Sequence, residues 1–256
     1  MIHKVIVIIL FIVILPAISG KGQNIESNEI SRKSSIKLTT EIVNQYVWRG
    51  SLSTPNPTPN IQPNLAFIYG GLDIGVWGSS DFSGNYMEFD PYLFWNVDHF
   101  KIGLTDYNWN LQKANYFNYS KNHTGHRIEG TIGFLGTRCF PVSIIWNTIF
   151  YGLDKMNAQT KQSYSTYVEI VYSQGPATFI LGFTPWASYY NNYGVTAFDL
   201  QSPKKDFSIV NIGSSFTKFL KISKTFTLPV KATLSVNPSA AYSRNDFIHL
   251  ILGIVF

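Results

Sequence analysis

The chain has 256 residues, 16% of them aromatic and only 14% charged, with a formal net charge of +5. A soluble domain averages about 25% charged residues, and here no basic run exceeds a pair such as Lys204-Lys205, which argues against a nucleic-acid interface. After residue 20 no run of about 18 apolar residues occurs, so no membrane-spanning helix is expected. The single cysteine, Cys139, excludes an internal disulfide and a cysteine-built metal cluster.

Residues 1–20 read as a secretory signal: Lys4 gives the positive start, Val5 to Leu15 an apolar core, and Ala17 to Gly20 small residues for cleavage. Residues 21–35 are polar and unpatterned, a short periplasmic lead-in. From Ile36 the hydrophobic period is two, the period of a strand. The first strand puts Ile36, Leu38, Thr40, Ile42, Asn44, Tyr46 and Trp48 on one face, with Lys37, Glu41 and Arg49 on the other. Three prolines between Gly50 and Asn60 then deny the backbone its ladder donors and mark a loop.

Leu65, Phe67 and Tyr69 alternate up to Gly70-Gly71, a two-residue hairpin signal. Leu72, Ile74 and Val76 return. Met87 to Val97 alternates with Glu88 and Asp90 opposite the apolar row, and Ile102 and Leu104 begin a fifth strand whose phase fades at Asp106. A long polar loop follows. Ile128, Ile132 and Phe134 then face away from Arg127, Glu129 and Thr131, and Val142 to Tyr151 is apolar on both faces. Tyr164 to Tyr172 and Phe179 to Phe183 make two more strands around a turn at 174–177, and residues 207–223 a strand of irregular phase. In Phe226 to Val236, Pro229 predicts a local distortion. The last stretch ends on an apolar row, Ile248, Leu250, Leu252, Ile254 and Phe256.

The count is about twelve strands, with long connections after the odd strands and tight turns after the even ones. That sorting, with the signal segment and the terminal aromatic, predicts an all-β fold: a transmembrane antiparallel up-and-down β-barrel over residues 36–256, both termini on the periplasmic side of a Gram-negative outer membrane. Its expected partners are outer-membrane lipid and the barrel-assembly machinery, which would read the insertion signal at Phe256. The run Tyr46-Val-Trp-Arg-Gly50, with Ser51 and Ser53, then Gln62-Pro63, Gly75-Val-Trp-Gly-Ser79 and Glu88-Phe-Asp90, resembles the TorF-type porin family of Gram-negative outer-membrane proteins. The resemblance covers roughly residues 36–110 and implies an outer-membrane barrel, possible as a channel, and little chemistry.

With the apolar faces turned to lipid, Arg49, Gln62, Glu88, Asp90, Arg127 and Glu129 are expected as a mixed-charge cluster at the outer mouth. Such a cluster orients or selects a solute in a pore, or pairs internally and braces a filled barrel. Deeper, Lys37, Glu41, Glu169 and Lys231 face inward but scattered. Lipid hydrolysis would need a histidine beside a serine on the lipid-facing rim. His99, His123, His126 and His249 supply no such pair, although Ser120 lies close in sequence to His123 and His126, so no catalysis is expected. Trp48, Trp77, Trp109, Trp186 and Tyr164 read as interfacial anchors rather than sugar-stacking rings. No metal or cofactor is expected. The functional expectation is passive or weakly selective passage of small hydrophilic solutes, against a structural or adhesion barrel with a plugged lumen and, third, a lipid hydrolase.

Overall fold

The computed structural model describes residues 33–109, 115–120, 124–156, 161–191, 206–240 and 247–256. The signal segment, most of the lead-in, His123 and Lys204-Lys205 lie outside them. Twelve antiparallel strands close a barrel in which each pairs with its neighbour in sequence. They are β1 (Ser35–Val43), β2 (Asn60–Tyr69), β3 (Leu72–Asp81), β4 (Met87–Val97), β5 (Phe100–Asn108) and β6 (His126–Phe134), then β7 (Val142–Gly152), β8 (Thr166–Gln174), β9 (Ala177–Thr184), β10 (Ser208–Lys221), β11 (Thr227–Val236) and β12 (Ile248–Val255). The Gly70-Gly71 hairpin has both glycines at positive φ, 54° and 86°, the backbone a two-residue turn between twisted strands requires.

Burial is the inverse of that in a water-soluble domain. Ile74, Leu93, Ile102, Leu104, Ile132, Leu250 and Leu252 are exposed on the outer wall, whereas Asn60, Ser79, Glu88, Asp90, Glu129, Thr131, Asn147 and Asn211 are buried. No helix of the described residues is long and apolar enough to cross a membrane. A closed barrel with an apolar outer belt and a polar interior is compatible with an outer-membrane protein.

One of two bulges explains the irregular phase of residues 207–223. Between β6 and β7 the register shifts at Ile128/Glu129, and between β9 and β10 at Gly182/Phe183. In the second, Asn211 faces Gly182 and Ile209 faces Phe183, so Val210 is the extra residue. It is fully buried, and Ile212 and Phe216 resume the outer row beyond it. Pro229, by contrast, causes no shift: β10 and β11 pair continuously from Lys221↔Thr227 to Ile212↔Val236. Its other edge lies beyond the last β11–β12 pair, Val230↔Ile254, so its missing N–H removes nothing from the ladder there.

The closing seam is short. β1 pairs with β2 over nine residues but with β12 over three, Glu41↔Val255 to Val43↔Gly253. Past Val43 the chain leaves the wall, against the expectation of a strand running on to Trp48. Asn44 N still donates to the Leu252 carbonyl at 3.0 Å, and side chains continue the ladder from there: Asn44 Nδ2 and Gln45 Nε2 donate to the Leu250 carbonyl at 3.1 and 2.8 Å, and Leu252 N donates to Asn44 Oδ1 at 2.7 Å. Leaving these groups unpaired would cost about 1–3 kcal/mol. Asn44→Ala is therefore expected to lower the thermal midpoint of the folded barrel in detergent, while Lys224→Ala, in the exposed β10–β11 turn, leaves it unchanged.

Candidate functional site: a lumen closed by an inward hairpin

The segment leaving the wall at Asn44 folds into the barrel. Val47–Trp48 pairs with Ser51–Leu52 in a minimal hairpin with Arg49 and Gly50 at its tip, both at positive φ, 51° and 86°. These are the signs a tight I′ turn needs, and glycine fits the second position. A Cβ at Gly50 would run into the carbonyl oxygen of Val210, the bulged residue of β10. Asn237 Nδ2, just after β11, donates to Ser51 Oγ at 3.0 Å. Tyr46 is buried at the hairpin's base against Trp77 and Tyr86.

The tip carries Arg49 to the carboxylate of Glu129 on β6. The guanidinium forks onto it, Nη1 to Oε2 at 2.6 Å and Nη2 to Oε1 at 2.7 Å. Glu129 is 1% exposed, and its two oxygens also accept from the Tyr107 and Tyr190 hydroxyls, each at 3.0 Å. Arg49 Nη1 also donates to the Tyr190 hydroxyl oxygen. Three rings face the guanidinium carbon: Trp48 at 4.4 Å, Tyr167 at 4.6 Å and Tyr190 at 5.0 Å. A planar, weakly hydrated cation between rings and facing a carboxylate is the arrangement that makes a buried arginine tolerable.

The ninth connection supplies the other half of the plug. A single 3-10 turn, Tyr189–Asn191, is tied down by Ser188 N to Asn191 Oδ1 at 2.9 Å and by Tyr189 N to Ser165 Oγ at 2.7 Å. Ser165 is fixed in turn by Asp154, which accepts from its backbone N and its hydroxyl. Tyr190 thereby packs on Trp48 and Tyr167, and Tyr189 on Trp109.

The expected charge cluster is brought together in part. Arg49 and Glu129 meet, though Arg49 arrives on the hairpin, not on β1. Glu88 and Asp90 are buried beside them and take other partners: the Tyr86 hydroxyl donates to Glu88 at 2.6 Å and Asn108 N to Asp90 at 3.0 Å. Arg127 lies over Trp109 at 3.9 Å, and among the described residues no ion pair joins it to Glu88 or Asp90. Gln62 departs from the expectation. It faces Glu41 across the β1–β2 ladder, because β1 ends at Val43 and Arg49 leaves the wall on the hairpin.

Below the hairpin, toward the tight turns, a cavity of about 340 Å³ opens, lined by Trp48, Arg49, Tyr167, Glu169, Asn211 and Lys231 among others. Glu169 accepts from the Tyr167 hydroxyl at 2.8 Å. Lys231 Nζ stands 3.8 Å from Glu41 Oε1. Glu169 and Lys231 thus border one space, with Glu41 beside Lys231. Lys37, expected to face inward with them, is exposed on the part of β1 below the last residue of β12.

The tryptophans divide. Trp186 and Tyr164 are exposed, and the Trp186 indole donates to the Tyr164 carbonyl at 3.1 Å, as suits the barrel's outer rim. Trp48, Trp77 and Trp109 are inside, packed on Tyr190, Tyr46 and Tyr189, which corrects their reading as interfacial anchors. Tyr107, Tyr167, Tyr189 and Tyr190 were not singled out by the sequence. The signal that bears on them is the inward phase of Tyr167, opposite Val168 and Ile170.

His126 is buried on the outward-facing row of β6, beneath residues 116–119. Its Nδ1 lies 2.9 Å from Asp106, its ring stacks on Tyr119 at 3.9 Å, and its Nε2 faces the Tyr116 carbonyl and, at 3.1 Å, Asn108 Nδ2. This is a histidine–carboxylate pair at the rim. Among the described residues no hydroxyl or thiol bonds its Nε2, the position a serine nucleophile would take.

No family model matches the chain, and no curated protein matches it.

Proposed function

We propose that the chain is an outer-membrane channel of the TorF-type porin kind, passing small hydrophilic solutes, with its lumen closed by its own first loop. The observation that carries this is the nature of the closure. The lumen is filled across by a chain segment anchored at both ends, with a polar cavity beneath it, whereas a barrel packed solid by wall side chains would leave no such space. A closure on a segment can be withdrawn. The second reading, a permanently plugged barrel that binds through its loops, draws on the number of contacts holding Arg49.

Purified protein in planar bilayers separates them. The wild type is expected to give small, infrequent conductance steps, and Arg49→Ala larger and more frequent ones. Silence from both would end the channel reading and leave the plugged barrel. Placement in the membrane has its own test. Ile132, 59% exposed on the outer wall, becomes a lipid-facing residue, and an arginine near the bilayer midplane costs about 2–4 kcal/mol. Ile132→Arg is expected to lower the stability of the barrel in lipid vesicles by that order, measured by urea titration. The same substitution at Ile36, 77% exposed at the turn-side end of β1, is expected to cost no more than about 1 kcal/mol.

A further inference from the structure

Glu129 has the surroundings of a receptor. Its carboxylate meets a planar cation edge-on through two parallel bonds, 2.6 and 2.7 Å, while two tyrosine hydroxyls hold its orientation. The Tyr167 and Tyr190 rings lie 4.6 and 5.0 Å from the guanidinium carbon. Glu129, Tyr107 and Tyr167 are built into β6, β5 and β8, and Tyr190 into the tied-down ninth connection. Only the cation and Trp48 arrive on the hairpin, and the hairpin delivers the cation from a residue held at positive φ, a conformation an arginine adopts at a cost. Take the hairpin away and what remains is an acidic, aromatic-walled cage. The cavity directly beneath it is lined by Arg49 and Tyr167, so a solute in the turn-side lumen reaches the guanidinium and one wall of the cage.

We propose that Glu129, Tyr107, Tyr167 and Tyr190 form a binding site for a small guanidinium-bearing solute, and that Arg49 occupies it as an internal stand-in. The inference rests on the channel reading, because an external ligand must enter the lumen to compete with Arg49. The fork of two N–H donors selects for a guanidinium over a simple ammonium, which offers the carboxylate a point charge without the matching plane. Glu169 and Lys231 on the cavity wall offer partners of either sign to the remainder of such a molecule.

The test uses full-length protein in detergent, titrated with methylguanidinium chloride and followed by calorimetry and tryptophan fluorescence, with sodium chloride at equal ionic strength and urea, the neutral planar analogue, as controls. Arg49→Ala is expected to bind methylguanidinium and to ignore urea. The wild type is expected to bind about tenfold more weakly or worse, since a tethered side chain competes at millimolar effective concentration. Arg49→Ala with Glu129→Gln is expected to lose about tenfold or more in affinity, a buried charged partner having been removed. No binding by Arg49→Ala, or equal binding by the double variant, overturns the site. These readouts are independent of current: binding without conductance would sink the channel reading and keep the site, and conductance without binding would do the reverse. Should Arg49→Ala yield no heat-resistant barrel on gel electrophoresis, Arg49→Gln carries the same titration.

Discussion

Glu129→Ala is expected to cost the closed barrel about 3–5 kcal/mol, the order seen when one partner of a buried ion pair is removed. The reason is asymmetry. Glu129 is 1% exposed and Arg49 10% exposed, so the substitution leaves a guanidinium in the lumen without its carboxylate, held only by rings and the Tyr190 hydroxyl. The hairpin offers an escape that a wall residue lacks: withdrawing it returns Arg49 to water. The expected result is therefore a lower thermal midpoint together with raised conductance in planar bilayers. Arg49→Ala in the same background should add little, because the interaction is already gone, and a double-mutant cycle would read a coupling of about 2–3 kcal/mol. A cycle that sums to zero would mean that Arg49 and Glu129 do not hold the plug together.

Gly50→Val is expected to open the lumen with every charge left in place. Gly50 sits at φ 86°, a region a β-branched residue rarely enters, and its new Cβ would meet backbone, the Val210 carbonyl, which cannot rotate aside as a side chain would. Strain of this kind costs about 1–3 kcal/mol, and the collision adds to it. The hairpin can relieve both by leaving its seat beside the β10 bulge. Limited trypsin digestion of the folded barrel gives the readout: Arg49, protected in the wild type, should become a cleavage site in Gly50→Val. Protection unchanged from the wild type would show that the hairpin tolerates the substitution in place.

The wall of the barrel was legible because a strand with an apolar outer wall on one side and a polar lumen on the other must alternate, and most of these strands do. Twelve strands, the sorting of loops and the outward phase of Leu250 and Leu252 follow from that alternation alone. What broke it was backbone irregularity. Val210 inserts one residue, which is why residues 207–223 carried no consistent phase. The first strand was misread for a related reason: Asn44, Tyr46 and Trp48 continue the alternation of Ile36, Leu38 and Ile42, so nothing in the pattern marks the point at Val43 where the chain turns inward. Period-two patterning reports a strand, not the side of the wall on which it lies. Arg49 and Glu129 were recognisable as inward charges, since each lies off the apolar row, and their meeting follows from the hairpin. The tyrosines around them were hidden by chemistry, because an aromatic ring suits a lipid interface and a plug equally well. Gln62 was placed by proximity in sequence to the loop, and the early end of β1 at Val43 leaves it beside Glu41.

The two amides at the end of β1 join events at opposite faces of the wall. Asn44 and Gln45 hold the edge of β12 from outside the ladder, and they are also the first residues of the segment that descends into the lumen. A hairpin that withdraws pulls on the residues that fasten the first strand to the last. Free energy linked in this way acts reciprocally: whatever tightens the junction of the first and last strands favours a shut lumen, and whatever draws the hairpin out loosens that junction. In an outer membrane, the thickness and lateral pressure of the lipid, which act on the wall and never reach the interior, would thereby become inputs to whether the proposed channel is open.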